Sequence, residues 1–336
     1  VNIYSSFPKR GHQELFNAAQ PNKPLVISGV GNISAKGYVV SDYFHQSKTR
    51  NVLWLVNDNK DIYELKNNLP FWTDLPIVGL DHLLEENISD YRMAETVLAL
   101  NDKKARIYLL NHKDVNVSLP TFQELEEQGI LLVKNQEVRT VDFFNRLIQI
   151  GYQPCSDVAL KKGEYRRSGG VVNVYPPNSE QLIKIEVDYD KVAGIWTYNQ
   201  DTKQLGEELE KIDFLPINIT TKSSRLLDHF KDQDLIVVDD IDEQDEELMR
   251  DIETNPSKKI VFTSFPRNDE PYFHLRYLSV LKYYNVFDLL NDLRDKSQRG
   301  WRINILTKRV KELTAIFDEE NIAYTTKNKE DARIMI

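Results

Sequence analysis

Residues Leu182 to Tyr189 alternate strictly. Leu182, Lys184, Glu186 and Asp188 fall on one side of an extended chain, and Ile183, Ile185, Val187 and Tyr189 on the other. A period of two fits a strand with one face in a core and one in water, and it does not fit a helix. The residues before it say how the strand is paired. Tyr165, Val171, Val172, Val174 and Tyr175 favour extended backbone. Gly163, Gly169 and Gly170 allow turns or a bulge, and Pro176-Pro177-Asn178-Ser179 stops one strand and starts a turn. Residues 163–189 are therefore predicted to form a β-hairpin or meander. Its wet face carries Lys184, Glu186 and Asp188, with Arg166 and Arg167 close by in sequence. Such a small sheet suits docking of a partner better than enclosure of a substrate.

On both sides of this stretch the pattern changes. Short apolar strands are predicted at Leu25–Gly29, Asn51–Val56 and Ala105–Leu110, then at Asp234–Asp239, Lys258–Thr263 and Trp301–Leu306. Helices are predicted between them, at 8–24, Tyr38–Gln46, Asp58–Leu69, Ser89–Leu100, Val141–Gly151, Glu243–Glu253, Val286–Lys296 and Lys308–Glu320, with Val30–Gly37 a loop. Strands alternating with helices imply an α/β fold on a parallel sheet. A mixed or β-rich module at about 120–210 interrupts it.

The totals narrow the function. A chain of 336 residues implies two or three domains. A net charge of −9 argues against a chain-wide nucleic-acid footprint, leaving only a local patch such as Lys161-Lys162 with Arg166-Arg167. Cys155 is the only cysteine, so neither a disulfide framework nor a cysteine-based zinc site is available, and a reducing cytoplasm is expected. No apolar run has the length of a membrane span. The start lacks the charged-then-apolar pattern of a signal peptide. The absence of an initial Met and the apolar end at Ile334-Met335-Ile336 lead us to expect a piece of a longer protein.

The strand and loop at 25–37 stand where a P-loop would. That loop needs G-x-x-x-x-G-K-[ST], so that backbone N–H groups cradle phosphates, Lys reaches the outer ones and the hydroxyl holds magnesium. Gly29, Gly31, Ser34 and Lys36 are the relevant positions, and neither glycine begins a register that works. We expect a degenerate nucleotide loop that only packs. Asp239-Asp240 after an apolar strand has the look of a Walker B, but Asp240 stands where Glu is expected. A polar strand end is the preferred reading. The six histidines are scattered without ligand spacing, and no Gly-x-Ser-x-Gly elbow occurs. No catalytic residue, metal or cofactor is expected. The acidic run Asp239–Asp251 reads as a solvated helix face. The aromatic residues Tyr272, Phe273, Tyr277, Tyr283, Tyr284 and Phe287 read as core or domain interface.

Gly163 through Pro177, then Ile183-Lys184-Ile185-Glu186 and Ile195 to Leu205, resembles the second domain of the UvrB-homology module. That module is shared by bacterial transcription-repair coupling factors (Mfd) and the excision-repair helicase subunit UvrB. The flanks are more similar to Mfd: Phe143 to Tyr152 looks like the helix and Gly-Tyr that enter the domain, Ser28 to Lys36 like a degenerate loop, and Phe214-Leu215-Pro216 like the return segment. The resemblance covers about 1–290. It implies a UvrB-like degenerate P-loop, RecA-like parallel sheet at 1–120 (domain 1a), completed at 211–298 (domain 1b). It implies a UvrA-docking β-rich domain 2 at 121–210 and the start of a small α/β domain at 299–336. It implies no ATPase in this segment, docking of UvrA in nucleotide excision repair, and a part in autoinhibition. RNA polymerase and DNA would be met only by domains absent here, and no membrane is implied. The UvrA-type surface would be Arg166, Arg167, Ser168, Lys184, Glu186 and Asp188. The family's basic residue falls at Ser168, a second basic position at Lys184, and an aromatic one at Asp188. Two other readings stay open: a helicase domain using ATP through Lys36 and Asp239, and an intramolecular clamp whose sheet face is covered by another domain.

Overall fold

In the computed structural model the described residues are 4, 12–17, 23–47, 49–84, 90–157, 159–177, 179–240, 246–265, 271–277, 283, 285–305, 307, 309–326 and 333–336. Contacts divide the chain into two units, one of 1–4 and 9–277 and one of 5–8 and 278–336. In the first, α1 (Gln13–Asn17) precedes β1 (Leu25–Val30), α2 (Ile33–Gln46), β2 (Asn51–Val56), α3 (Asn59–Asn68), β3 (Ile77–Gly79), α4 (Asp90–Asn101) and β4 (Arg106–Asn111). Then come β5 (Ser118–Leu119), α5 (Phe122–Gln128), β6 (Ile130–Val133), α6 (Thr140–Gln149), β7 (Gln153–Pro154), β8 (Glu164–Ser168), β9 (Val171–Val174), β10 (Leu182–Asp188), β11 (Lys191–Asn199), β12 (Gln204–Glu208) and β13 (Lys211–Phe214). The chain returns through β14 (Ser224–Arg225), β15 (Leu235–Asp239), α7 (Glu246–Thr254), β16 (Lys258–Thr263) and β17 (Tyr272–Tyr277).

Seven strands form one sheet in the order β17-β1-β16-β15-β2-β4-β3, and every pairing in it is parallel. This is the α/β fold that the alternation predicts. Parallel strands are covered on both faces, so they read as continuous apolar runs; all six residues of β2 are buried. One face packs Leu53, Leu55, Leu110 and Val238 with Ala94 and Val97 of α4 and Leu248 and Ile252 of α7. The other packs Ile27, Trp54, Leu109 and Phe262 with Val39, Val40 and Tyr43 of α2 and Ile62 and Leu65 of α3.

The β-rich module is inserted between β4 and β15. Its six-stranded sheet has the order β12-β11-β10-β9-β8-β7. Entry and exit lie side by side, because β6 pairs antiparallel with β13 (Ile130 opposite Phe214) and β5 with β14. Paired ends let a module sit within a sheet domain without distorting it. The module has its own core, in which Phe143, Phe144 and Leu147 of α6 meet Tyr165, Val172, Val174, Ile183, Ile185 and Ile195.

The second unit holds α8 (Val286–Gln298), β18 (Ile303–Asn304), α9 (Val310–Glu319) and β19 (Ile334–Met335). Parallel β18 and β19 pack with both helices around Leu290, Leu293, Phe317 and Ile334.

Two expectations are corrected. Val30–Gly37 is not a loop: α2 begins at Ile33, because the Asn32 side chain caps it by accepting from the Ser34 N–H at 2.7 Å. The connector is then only Gly31-Asn32. Of the aromatic residues read as core or interface, Tyr272, Phe273 and Tyr277 do pack against the core clusters, from an edge strand of the sheet, whereas Phe287 is 68% exposed. Tyr284, residues 241–245 of the acidic run and most of the predicted helix at 8–24 lie outside the described residues. No described helix is long and apolar enough to cross a membrane.

Candidate interaction face

The strand register decides which predicted residues share a surface. Residues directly opposite one another across a sheet point to the same side. Arg166 lies opposite Asn173, Asn173 opposite Lys184, Lys184 opposite Trp196, and Trp196 opposite Glu208. One rung on, Ser168, Val171, Glu186 and Gly194 form the next row of the same outer face. Arg167 belongs to the other row, with Val172, Ile185 and Ile195, all three buried. Near the sheet margin its guanidinium lies over the Phe144 ring, 5.0 Å from the centroid, and its Nε donates to the Gly169 carbonyl at 3.1 Å. Arg166, Ser168, Lys184 and Glu186 are thus brought together, and Arg167 is turned away from them. Asp188 is exposed opposite Lys191, past a bulge between Glu186 and Val187.

The charges on the outer face already have partners. Lys184 Nζ lies 2.9 Å from Glu186 Oε1, and Lys134 Nζ lies 2.8 Å from Glu208 Oε1. Arg166 Nη1 donates to the Asp157 carbonyl at 2.8 Å. The hairpin β10–β11 turns through Tyr189 and Asp190, which have φ of 44° and 56°. Asp190 holds the turn, because its carboxylate accepts from the Thr140 N–H and hydroxyl at 3.2 Å each. Tyr189 makes no use of its ring there and is 98% exposed. A left-handed conformation is costly for an aromatic residue and natural for glycine. Tyr189→Gly is therefore expected to raise stability by about 0.5–1 kcal/mol in denaturant unfolding. No gain would mean that the turn stores no strain.

The predicted nucleotide positions are committed to the scaffold. Gly29, in β1 with φ of 72°, sits where an added Cβ would lie 1.8 Å from the Leu275 carbonyl oxygen, so its role is to let β17 approach. Gly31 belongs to the connector and has open space around it. The Ser34 hydroxyl accepts from Trp72 Nε1 at 3.1 Å. Lys36, one turn into α2, is ion-paired with Asp239 at the end of β15. Burial pushes the Asp239 carboxyl up, and the Lys36 ammonium opposes this. Asp240 is turned elsewhere, accepting from the Ser264 N–H at 3.0 Å and from its hydroxyl.

Residues 130–219 match the UvrB interaction domain. A transcription-repair-coupling factor of Borreliella burgdorferi is 24% identical over 187 residues, which is 53% of this chain and 16% of that protein. A UvrABC system protein B of Thermosipho africanus is 28% identical over 102 residues, 30% of this chain and 15% of its own. A transcription-repair-coupling factor of Bacillus subtilis is 25% identical over 122 residues, 36% of this chain and 10% of its own. The chain thus matches between 10% and 16% of the lengths of these relatives. The resemblance to the UvrB-homology module stands, at low identity and over part of the chain, and the matched family covers the inserted β-rich domain from β6 to just past β13.

Proposed function

We propose that this chain is a protein-docking module of the UvrB-homology type, whose inserted sheet binds UvrA through the outer face that carries Arg166, Ser168, Lys184 and Glu186. One observation carries the reading: the stretch that matches the UvrB interaction domain is also the stretch that folds as a separate sheet with a polar face turned outward. The division at 120, 210 and 298 belongs to the same proposal, as does the role of the whole protein in bringing UvrA to stalled transcription complexes and in autoinhibition. The scaffold in this reading does no nucleotide chemistry. A connector of two residues leaves no loop to wrap a phosphate, and Lys36 spends its charge on Asp239.

The test is calorimetric binding of this chain to UvrA from the same organism at moderate salt. Arg166→Glu/Lys184→Glu reverses two cations on the outer face and is expected to weaken binding about 10-fold. Arg167→Glu, on the opposite face, should stay within about 2-fold. Equal binding by wild type and the double variant would remove the outer face from the reading. A larger loss in Arg167→Glu would move the contact to the edge beside α6.

A further inference from the structure

Resting on that docking reading, we infer that Trp196 is the apolar anchor through which the outer face holds UvrA. The position of the ring is the first reason. A Cβ added at Gly194 would lie 2.0 Å from Trp196 Cη2 and 2.4 Å from Cζ2, so the indole is laid along its own strand over the glycine. Gly194 is opposite Glu186, and Lys184 Nζ lies 5.9 Å from the ring centroid. The ring is therefore flat, partly exposed and held in one place before any partner arrives. An aromatic group ordered in advance loses little freedom on binding.

The second reason is what surrounds it. Lys184 is paired with Glu186, and Glu208, across from Trp196, with Lys134. Partly exposed pairs that already exist yield little net affinity when a partner's charges replace one member. They set orientation and exclude mismatched partners. The affinity must then come from apolar surface, and Tyr198 and Leu205 extend the ring along the same face. Those two residues are opposite one another in β11 and β12, and Leu205 is 52% exposed. A large aromatic ringed by compensated polar groups has the make-up of a binding hot spot. The matching segment of UvrA presents an apolar side chain to the indole, with a carboxylate beside it for Lys184 and Arg166.

The experiment is calorimetry of the whole chain with purified UvrA. It compares wild type, Trp196→Ala, Trp196→Phe, Gly194→Ala and Arg166→Glu/Lys184→Glu, each with a thermal unfolding curve. Trp196→Ala is expected to weaken binding about 30-fold, and Trp196→Phe, which keeps a flat ring, to stay within about 5-fold. Gly194→Ala leaves the indole in the chain but lifts it off the strand. It should cost about 10-fold. A merely structural tryptophan would show its loss in the unfolding curve and not in this order of affinities. If Trp196→Ala binds within about 2-fold of wild type while the charge reversal loses binding, the docking reading stands and the anchor is overturned. If wild type does not bind UvrA, both are overturned.

Discussion

Lys36→Met is expected to destabilise the α/β scaffold by about 3–5 kcal/mol near neutral pH, and Lys36→Met/Asp239→Asn to recover most of that loss. The Lys36 and Asp239 side chains are 14% and 7% exposed, so removing the ammonium leaves a carboxylate with neither water nor a counter-charge. The double variant removes both charges, and a buried pair replaced as a unit costs far less than one half-removed. The pH dependence follows from the direction of the shift. Burial already pushes Asp239 up, and without Lys36 the charge that chiefly opposes it is gone. A carboxyl whose folded value is raised gains stability as pH falls through that value towards the unfolded one. The deficit of Lys36→Met should therefore be larger at about pH 7 than at about pH 5, because the raised Asp239 carboxyl takes up protons as the pH falls. Urea unfolding at the two pH values reads this out. A loss below about 1 kcal/mol, or a deficit that widens in acid, would show that the pair does not neutralise itself as the geometry implies.

This pair also bears on the stretch where the sequence predicts a degenerate nucleotide loop. The strand, glycine, helix and following acidic strand end are all in place, and each polar member has been turned to an internal task. Gly29 admits β17, Ser34 receives Trp72, and Lys36 meets Asp239. A nucleotide would have to displace an ion pair that the core itself needs. The inserted sheet has the opposite character, since its charges pair with one another on a face turned outward and not in a core.

What could be read from the chain alone follows from how local each signal is. The alternation of Leu182 to Val187 is a property of single residues at a period of two, so it predicts β10 and its two faces. The same rule separates Arg166 from Arg167, but Glu164-Tyr165-Arg166-Arg167-Ser168 has too little apolar contrast to show the alternation, and only pairing with β9 reveals it. The bulge after Glu186 and the turn at Tyr189 depend on Asp190 reaching Thr140, 50 residues away in sequence. The start of α2 had a readable mark in Asn32, whose side chain is a natural cap. The strand β17 had none, because its pairing with β1 sets Ser28 opposite His274, 246 residues away in sequence. Gly194 and Trp196 share a face of β11 by the period of two, but that the indole lies back over the glycine is visible only in the structure.

Asp42→Ala is expected to cost about 3–5 kcal/mol and to loosen the first strand edge of the scaffold before the rest. Asp42 is fully buried in α2 and gathers three donors. Tyr4 donates at 2.5 Å, His12 Nδ1 lies at 2.6 Å, and Gln46 Nε2 donates at 2.9 Å. The other nitrogen of His12 meets the Tyr277 hydroxyl at 3.0 Å, which ties the N-terminal segment to β17. Burial alone would raise the Asp42 carboxyl, but the hydrogen bonds from His12, Tyr4 and Gln46 outweigh it and hold it below its ordinary 3.8. A carboxylate held low contributes stability that is present above the unfolded value and lost as pH falls through the folded one. Wild type should therefore lose this contribution only in strong acid, below 3.8, whereas Asp42→Ala lacks it at every pH. The two variants argued here then respond differently to mild acid. The Asp42→Ala deficit persists from about pH 7 to 5, where that of Lys36→Met shrinks. Hydrogen exchange should place the early loss of protection in α1 and β17, because those are the elements that the cluster joins to α2. If protection falls uniformly across the sheet instead, Asp42 supports the global core and the N-terminal segment is not a separate fastening. Since β17 rests on Gly29 through the close approach of Leu275, a loosened β17 would also free the strand end beside Lys36. Asp42→Ala would then also loosen the face around Gly29 and Lys36.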